Sequence, residues 1–252
     1  MEISILAPIV AFVISFVFPM LGMGGSQVMV PALLWMGMDF KLEVIPLALT
    51  LNLISTLSGT LTYAKARLID WRAAIPFAAG ALIFAPLGAW ANVGLSKRVL
   101  VIIFVILTIK GIILMVVGWR PKAVSNSHGA RIAVGAGGGG LLGFICGLVG
   151  RGGGALAVPF LYATGLNAKR AAATSLFVVM WSTAAALLSH VALSAKPDWS
   201  IWLPCMVATL IGSQLGARVM TFKMNPRIVR LSFAIVLGMV TVILILTDII
   251  GD

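Results

Sequence analysis

The chain has 252 residues, of which 61% are hydrophobic and 10% charged, and its mean hydropathy is +1.12. That is more apolar surface than a water-soluble domain of this size can bury, which excludes a soluble enzyme or soluble binding module. The net charge of +11 does not describe a nucleic-acid footprint, because the Lys and Arg residues sit in short segments flanking apolar runs, where they set topology.

Apolar runs of about 20 residues, the length that crosses a bilayer core, recur from end to end. Lipid cannot satisfy backbone polar groups, so these runs are expected to be helices. No stretch alternates polar and apolar residues as a barrel strand would. The expected fold is therefore an all-α polytopic membrane protein.

In chain order, residues 5 to 21 predict a first helix that ends at Pro19 and the glycines from 22 to 25, and a short helix follows at 26 to 37. Full-length spans are expected at 42 to 63, 73 to 93 and 98 to 118. The polar stretch 119 to 130, with Arg120, Pro121, Lys122, Ser125, Asn126, Ser127 and His128, is the longest connection and reads as a hinge. The plan then repeats, with a helix at 131 to 149, a second glycine break, a short helix at 154 to 165, and spans at 170 to 193, 199 to 218 and 227 to 249. Residues 1–118 and 131–252 thus form two transmembrane units. Glu2 and the lack of a basic segment before the first run argue against a cleaved signal peptide. Cys146 and Cys205 lie inside apolar runs without metal-ligand spacing, and are expected to be buried thiols.

The two units are copies of one another. Gly22-Met23-Gly24-Gly25-Ser26-Gln27-Val28-Met29-Val30-Pro31 matches Gly150-Arg151-Gly152-Gly153-Gly154-Ala155-Leu156-Ala157-Val158-Pro159 at an offset of 128 residues. Without a gap, that offset also superposes Phe16 on Phe144, Leu33 on Leu161, Lys41 on Lys169, and Asp70-Trp71 on Asp198-Trp199. Matching glycine-interrupted segments in the two halves of a membrane protein point to a transporter's binding site.

Charge decides how the broken segments lie. If each crosses the membrane once, the basic residues divide nearly evenly between the two sides. If each folds back, one side holds Lys65, Arg67, Arg72, Arg120, Lys122, Arg131, Lys169, Arg170, Arg218, Lys223, Arg227 and Arg230. The other side then keeps only Lys41, Lys97, Arg98 and Lys196. This asymmetry fits the positive-inside rule. It predicts inverted repeats whose hairpins enter from opposite faces, a cytoplasmic hinge and outward termini in a cell membrane, with the bacterial inner membrane as the expected location.

Gly150-x-Gly152-Gly153-Gly154-x-x-x-Val158-Pro159, followed by Lys169-Arg170-Ala171-Ala172-Ala173-Thr174-Ser175 and preceded by the weaker first copy, resembles the TauE/SafE family of membrane exporters. The resemblance covers essentially the whole chain and implies export of small sulfur-containing anions such as sulfite or organosulfonates. Where the family's motifs carry an apolar residue and a third glycine, this chain has Arg151 and Ser26.

The residues themselves suit an anion. Gly24, Gly25 and Gly152 to Gly154 precede short helices, whose first N–H groups are unpaired and carry roughly half a positive charge. Gly139, Gly143 and Gly147, spaced by four, read instead as helix packing. Arg151 has no acidic partner in its half's apolar runs, and its guanidinium can grip two oxygens of a sulfonate. Ser26 and Gln27 open the first short helix, and Asn52, Thr174 and Ser175 follow the hairpins at mid-span, as candidate walls. Lys110, Ser55 and Gln214 are additional candidates. Such hydroxyls and amides equally serve to bond neighbouring helices. His128 and His190 are weaker candidates for a proton relay.

No phosphate loop and no His-Glu-x-x-His or Cys-x-x-Cys spacing appears. No cofactor, metal or nucleic acid is expected, and the partners called for are a small anionic substrate and the lipid bilayer. The sequence favours a carrier working by alternating access, driven by membrane potential or an ion gradient. The alternatives are an anion channel with the hairpins as filter and a sulfur-transfer protein acting at Cys146. Gly139-Gly143-Gly147 and Gly212-Gly216 can pack within one chain or form a homo-oligomer.

Overall fold

The computed structural model describes residues 3–39, 43–92, 128–149, 154–194 and 197–248, with scattered helical positions between 102 and 117. The described residues form helices α1 (Ile3–Met20), α2 (Ser26–Trp35), α3 (Ile45–Lys65), α4 (Trp71–Asn92), α5 (His128–Val149), α6 (Gly154–Ala163), α7 (Ala168–Ser194), α8 (Trp199–Lys223) and α9 (Pro226–Asp248), and no strand. Four stretches, Ile3–Met20, Ile45–Lys65, Trp71–Gly88 and Trp199–Lys223, are long and apolar enough to cross a membrane.

The elements differ from expectation mainly at their ends. Helix α5 begins at His128, so the last three residues of the expected hinge are helical, and the rest of the hinge lies outside the described residues. Helix α8 continues past residue 218 to Lys223. Val219 and Met220 keep that turn apolar, and an arginine near a helix end can extend its charged tip to the interface. The span expected at 98 to 118 is described only at scattered helical positions.

Local chemistry explains the starts of the matching helices. Asp70 and Asp198 precede α4 and α8. The Asp70 carboxylate accepts from Ala73 N–H at 3.3 Å, and that of Asp198 from Ser200 N–H at 3.0 Å. Aspartate before a first turn satisfies donors that have no intrahelical partner. Asn167 and Asn225 do the same for Arg170 and Ile228, each at 2.9 Å. The Lys169 ammonium donates to the carbonyls of Thr221 and Met224, closing the end of α8.

The 128-residue offset carries through to the elements: α2 and α6 correspond residue for residue, and α4 and α8 start at corresponding tryptophans. It also carries through to the packing. α1 packs on α8 as α5 packs on α4, α3 packs on α8 as α7 on α4, and α3 packs on its own counterpart α7.

Specific contacts give the directions. A Cβ on Gly139 would overlap the carbonyl of Phe77 and one on Gly143 the carbonyl of Ala81, so α4 and α5 run parallel. Gly212 lies against Phe12 and Gly216 against Phe16, so α1 and α8 also run parallel. Asn52 bonds Thr183 while Gly59 faces Leu176, so α3 and α7 run antiparallel.

The molecule is apolar outside and partly polar inside. Ile5, Ile9 and Val13 form an exposed stripe on α1, and Leu203, Val207, Leu210 and Ile211 another on α8. Ser15, Asn52, Ser55, Thr56, Ser58, Thr60, Thr183, Thr209 and Ser213 are buried. In a soluble protein exposed apolar area on this scale would be an aggregation surface, whereas against lipid it costs nothing and hydroxyls serve as interhelical contacts.

Candidate functional site

The first glycine break is a tight reversal. Leu21 and Met23 N–H donate to the Phe18 carbonyl at 3.1 and 2.9 Å, and Gly22 N–H to that of Pro19 at 3.0 Å. Gly22 and Gly25 have φ of 81° and 88°. That left-handed conformation is open to glycine without the steric penalty other residues incur. Gly25 ends the reversal as the N-cap of α2, and its carbonyl accepts from Val28 and Met29 N–H at 3.1 and 3.0 Å.

The break lies against α3. Pro19 is held near the end of α3, where Tyr63 Oη donates to its carbonyl at 2.9 Å. Ser26 lies lower, beside Asn52. Helix α3 is 21 residues long, about 31 Å at 1.5 Å per residue, and Asn52 stands about 10 Å along it. The chain therefore climbs α1, reverses beside the middle of α3, and descends through α2.

Asn52 closes the start of α2. Its Oδ1 accepts from Ser26 N–H at 3.2 Å and its Nδ2 donates to Thr183 Oγ1 at 2.7 Å. A Cβ on Gly24 would overlap the same amide, so Gly24 lets Asn52 reach the helix end. One of the donors that the sequence offered to a ligand is thus taken by a side chain of the protein.

The remaining candidates divide. Ser175 Oγ donates to the Gly22 carbonyl at 2.9 Å, joining α7 to the first break. Thr174 Oγ1 accepts from Asp70 N–H at 3.1 Å and belongs to the start of α4. Gln214 donates to Ser58 Oγ at 2.9 Å and accepts from Thr62 Oγ1 at 3.0 Å, tying α8 to α3. Gln27 is half-buried in the first turn of α2. Ser55 is fully buried, and its Oγ has no hydrogen-bond partner among the described residues. Lys110 is exposed.

Arg151, Gly152 and Gly153 lie outside the described residues, while Gly154 is the first residue of α6. The side chains of Cys146, His128 and His190 are likewise outside them. Cys205 is a buried free thiol, and no cluster of metal-ligating side chains occurs among the described residues.

Sequence reasoning missed Tyr63, Ser58, Thr62, Ser15 and Thr209, the last two hydroxyls being 3.3 Å apart between α1 and α8. Their signal was a hydroxyl or phenol within an apolar span, too common to be selected without knowing which helices meet.

The family model described as "Sulfite exporter TauE/SafE" matches residues 7–244. The chain belongs to the TauE/SafE family. Its TauE/SafE membership is accompanied by similarity to "Probable membrane transporter protein y4hK" of Sinorhizobium fredii, 28% identical over 82% of this chain and 84% of that protein. "Probable membrane transporter protein YunE" of Bacillus subtilis is 26% identical over 86% and 88% of the two chains. "Probable membrane transporter protein MJ0441" of Methanocaldococcus jannaschii is 24% identical over 94% of each. No solved structure matches. Family and relatives together make this TauE/SafE chain a membrane transporter.

Proposed function

We propose that the chain is a secondary carrier exporting small sulfur-containing anions such as sulfite or organosulfonates. It would bind them at mid-membrane where the two glycine breaks approach, in a multi-pass inner-membrane protein with its hinge in the cytoplasm and its termini outside. The observation that carries this reading is the direction pattern. The equivalent helices α3 and α7 run in opposite directions, which supports reading the two halves as inverted repeats. Inverted repeats around a broken-helix site are the architecture of carriers that rock one repeat against the other.

Sulfite and sulfonates follow from the family's description and from the oxyanion chemistry of Arg151 beside the start of α6. An interior-negative potential drives each negative charge outward by about 2.3 kcal/mol per 100 mV, so export needs no nucleotide.

The test is thermal stabilisation of the purified protein by sulfite, sulfate, thiosulfate, taurine, sulfoacetate, acetate and chloride. A ligand at a hundred times its Kd adds about 2.7 kcal/mol to the folded state. Stabilisation by sulfur oxoanions, absent in Arg151→Ala, is expected. Equal stabilisation by acetate and chloride would refute the substrate class, and an undiminished response in Arg151→Ala would refute the role of that arginine.

A further inference from the structure

The two halves of the sequence are not the two bodies of the fold. We propose that transport proceeds by movement of two bodies that have exchanged a helix: α1, α2, α3 and α8 against α4, α5, α6, α7 and α9. This rests on the carrier reading above and specifies which parts move in it.

The packing supplies the argument. α1 packs on α8 and α5 on α4, and each pair joins one sequence half to the other. A Cβ on Gly212 or Gly216 would overlap the backbone of Phe12 or Phe16, and one on Gly80, Gly139 or Gly143 the backbone of Ala136, Phe77 or Ala81. Helices seated backbone to backbone have no side chains between them to repack, so they cannot tilt apart without opening a void. α1 therefore moves with α8, and α4 with α5. Neither sequence half moves as one unit.

The boundary between the bodies is the contact of α3 on α7. Among the described residues, the long helices touch in a line that runs from α1 to α8, α3, α7, α4 and α5, with α2 on α1 and α3, and α6 and α9 on α7. The 128-residue offset exchanges α1 with α5, α8 with α4 and α3 with α7, so the line reads the same from either end. Only a cut between α3 and α7 divides it into two equivalent bodies.

The joint there is also adjustable. Gln214 ties α8 to α3 through both Ser58 and Thr62, whereas the side-chain bond from α3 to α7 is that of Asn52 to Thr183. Gly59 faces the Leu176 side chain rather than a backbone, and a leucine can change rotamer where a carbonyl cannot move. The first break touches α7 where Gly22 meets Ala172 and Ser175, and this point serves as a pivot. The chain passes between the bodies at residues 66 to 70 and 224 to 225. Beside the second crossing, the Lys169 ammonium spans the boundary to the carbonyls of Thr221 and Met224. Movement along this boundary, on which the first break and Asn52 lie, opens the proposed anion site to one side and then the other.

The experiment measures distances between pairs of spin labels in lipid nanodiscs, without and with saturating sulfite. Labels go on exposed residues as Ile9→Cys on α1, Val207→Cys on α8, Leu87→Cys on α4 and Leu141→Cys on α5, in a background with Cys146→Ala and Cys205→Ala. Ile9 with Val207, and Leu87 with Leu141, join different halves within one body, and their separations should stay constant. Ile9 with Leu87, and Val207 with Leu141, lie in one half but in different bodies, and both separations should shift by several Å. The opposite pattern makes the sequence halves the moving bodies, which overturns the proposal and leaves the carrier reading standing. Shifts in all four pairs, or in none while sulfite still stabilises the protein against heat, also overturn it. Protein that sulfite neither stabilises nor moves refutes the carrier reading for sulfite, and the proposal with it.

Discussion

Replacing Asn52 with alanine probes the contact that binds the first hairpin to both repeats. Two hydrogen bonds are lost, one to Ser26 N–H and one to Thr183 Oγ1. Ser26 N–H is left buried beside apolar neighbours, at about 1–3 kcal/mol for an orphaned donor. Thr183 can turn to a carbonyl of its own helix, so its loss is nearer the ~0.6 kcal/mol average of interhelical hydrogen bonds in membranes. The expected destabilisation is therefore about 2–4 kcal/mol. The assay is equilibrium unfolding in mixed detergent and SDS micelles, run as a double-mutant cycle with Thr183→Ala. If the side chains interact as the 2.7 Å bond implies, the cycle should yield a coupling of about 0.5–1.5 kcal/mol. If Thr183→Ala costs as much in the Asn52→Ala background as in wild type, the bond contributes nothing and the capping argument is refuted.

Gly139→Ala should destabilise by about 1–3 kcal/mol, because its methyl would overlap the Phe77 backbone and force α4 and α5 apart. Gly137→Ala, two residues away with nothing within 4 Å, should instead stabilise by up to about 1 kcal/mol through helix propensity, and equal effects in the same unfolding assay would contradict the packing. Tyr63→Phe removes the 2.9 Å bond to the Pro19 carbonyl, which keeps Gly22 N–H as a second donor. Its cost should be about 0.5–1.5 kcal/mol, and no change in the unfolding midpoint would show that the bond does not hold the end of α1. An alkaline phosphatase fused in the hinge between 119 and 127 should be inactive in cells and one fused at residue 196 active, and the reverse pattern would invert the topology derived from the basic loops.

Much of the architecture was legible because membranes impose few choices. Apolar runs of bilayer length must be helices, and glycines before a short apolar run mark a reversal. Residues 22 to 25 are that reversal, and α2 and α6 start where the glycine motifs place them. Asp70 and Asp198 were visible only as matched letters, and the structure gives them a shared task as helix caps. The reading of Gly139 and Gly143 as packing glycines was right, but their partner, α4, could not be named from sequence.

The polar side chains were the least legible part. Asn52, Thr174, Ser175 and Gln214 looked alike in sequence, each a hydrogen-bonding group within an apolar span. Packing separates them: Asn52 caps a half-helix, Thr174 holds a loop, Ser175 pins the first break and Gln214 joins two helices, while Ser55 has no partner among the described residues. Hydropathy, the internal repeat and the glycine breaks are properties of consecutive residues, so the sequence by itself determined that this is a helical, duplicated membrane protein with paired interrupted segments. Which hydroxyl or amide is satisfied depends on what a neighbouring element brings within hydrogen-bond reach, and only the packing of α3 and α7 against each other, α8 and the first break decided that. Whether a polar group in lipid is structural or available to a ligand turns on that pairing, because an unpartnered donor is costly there and a partnered one is silent.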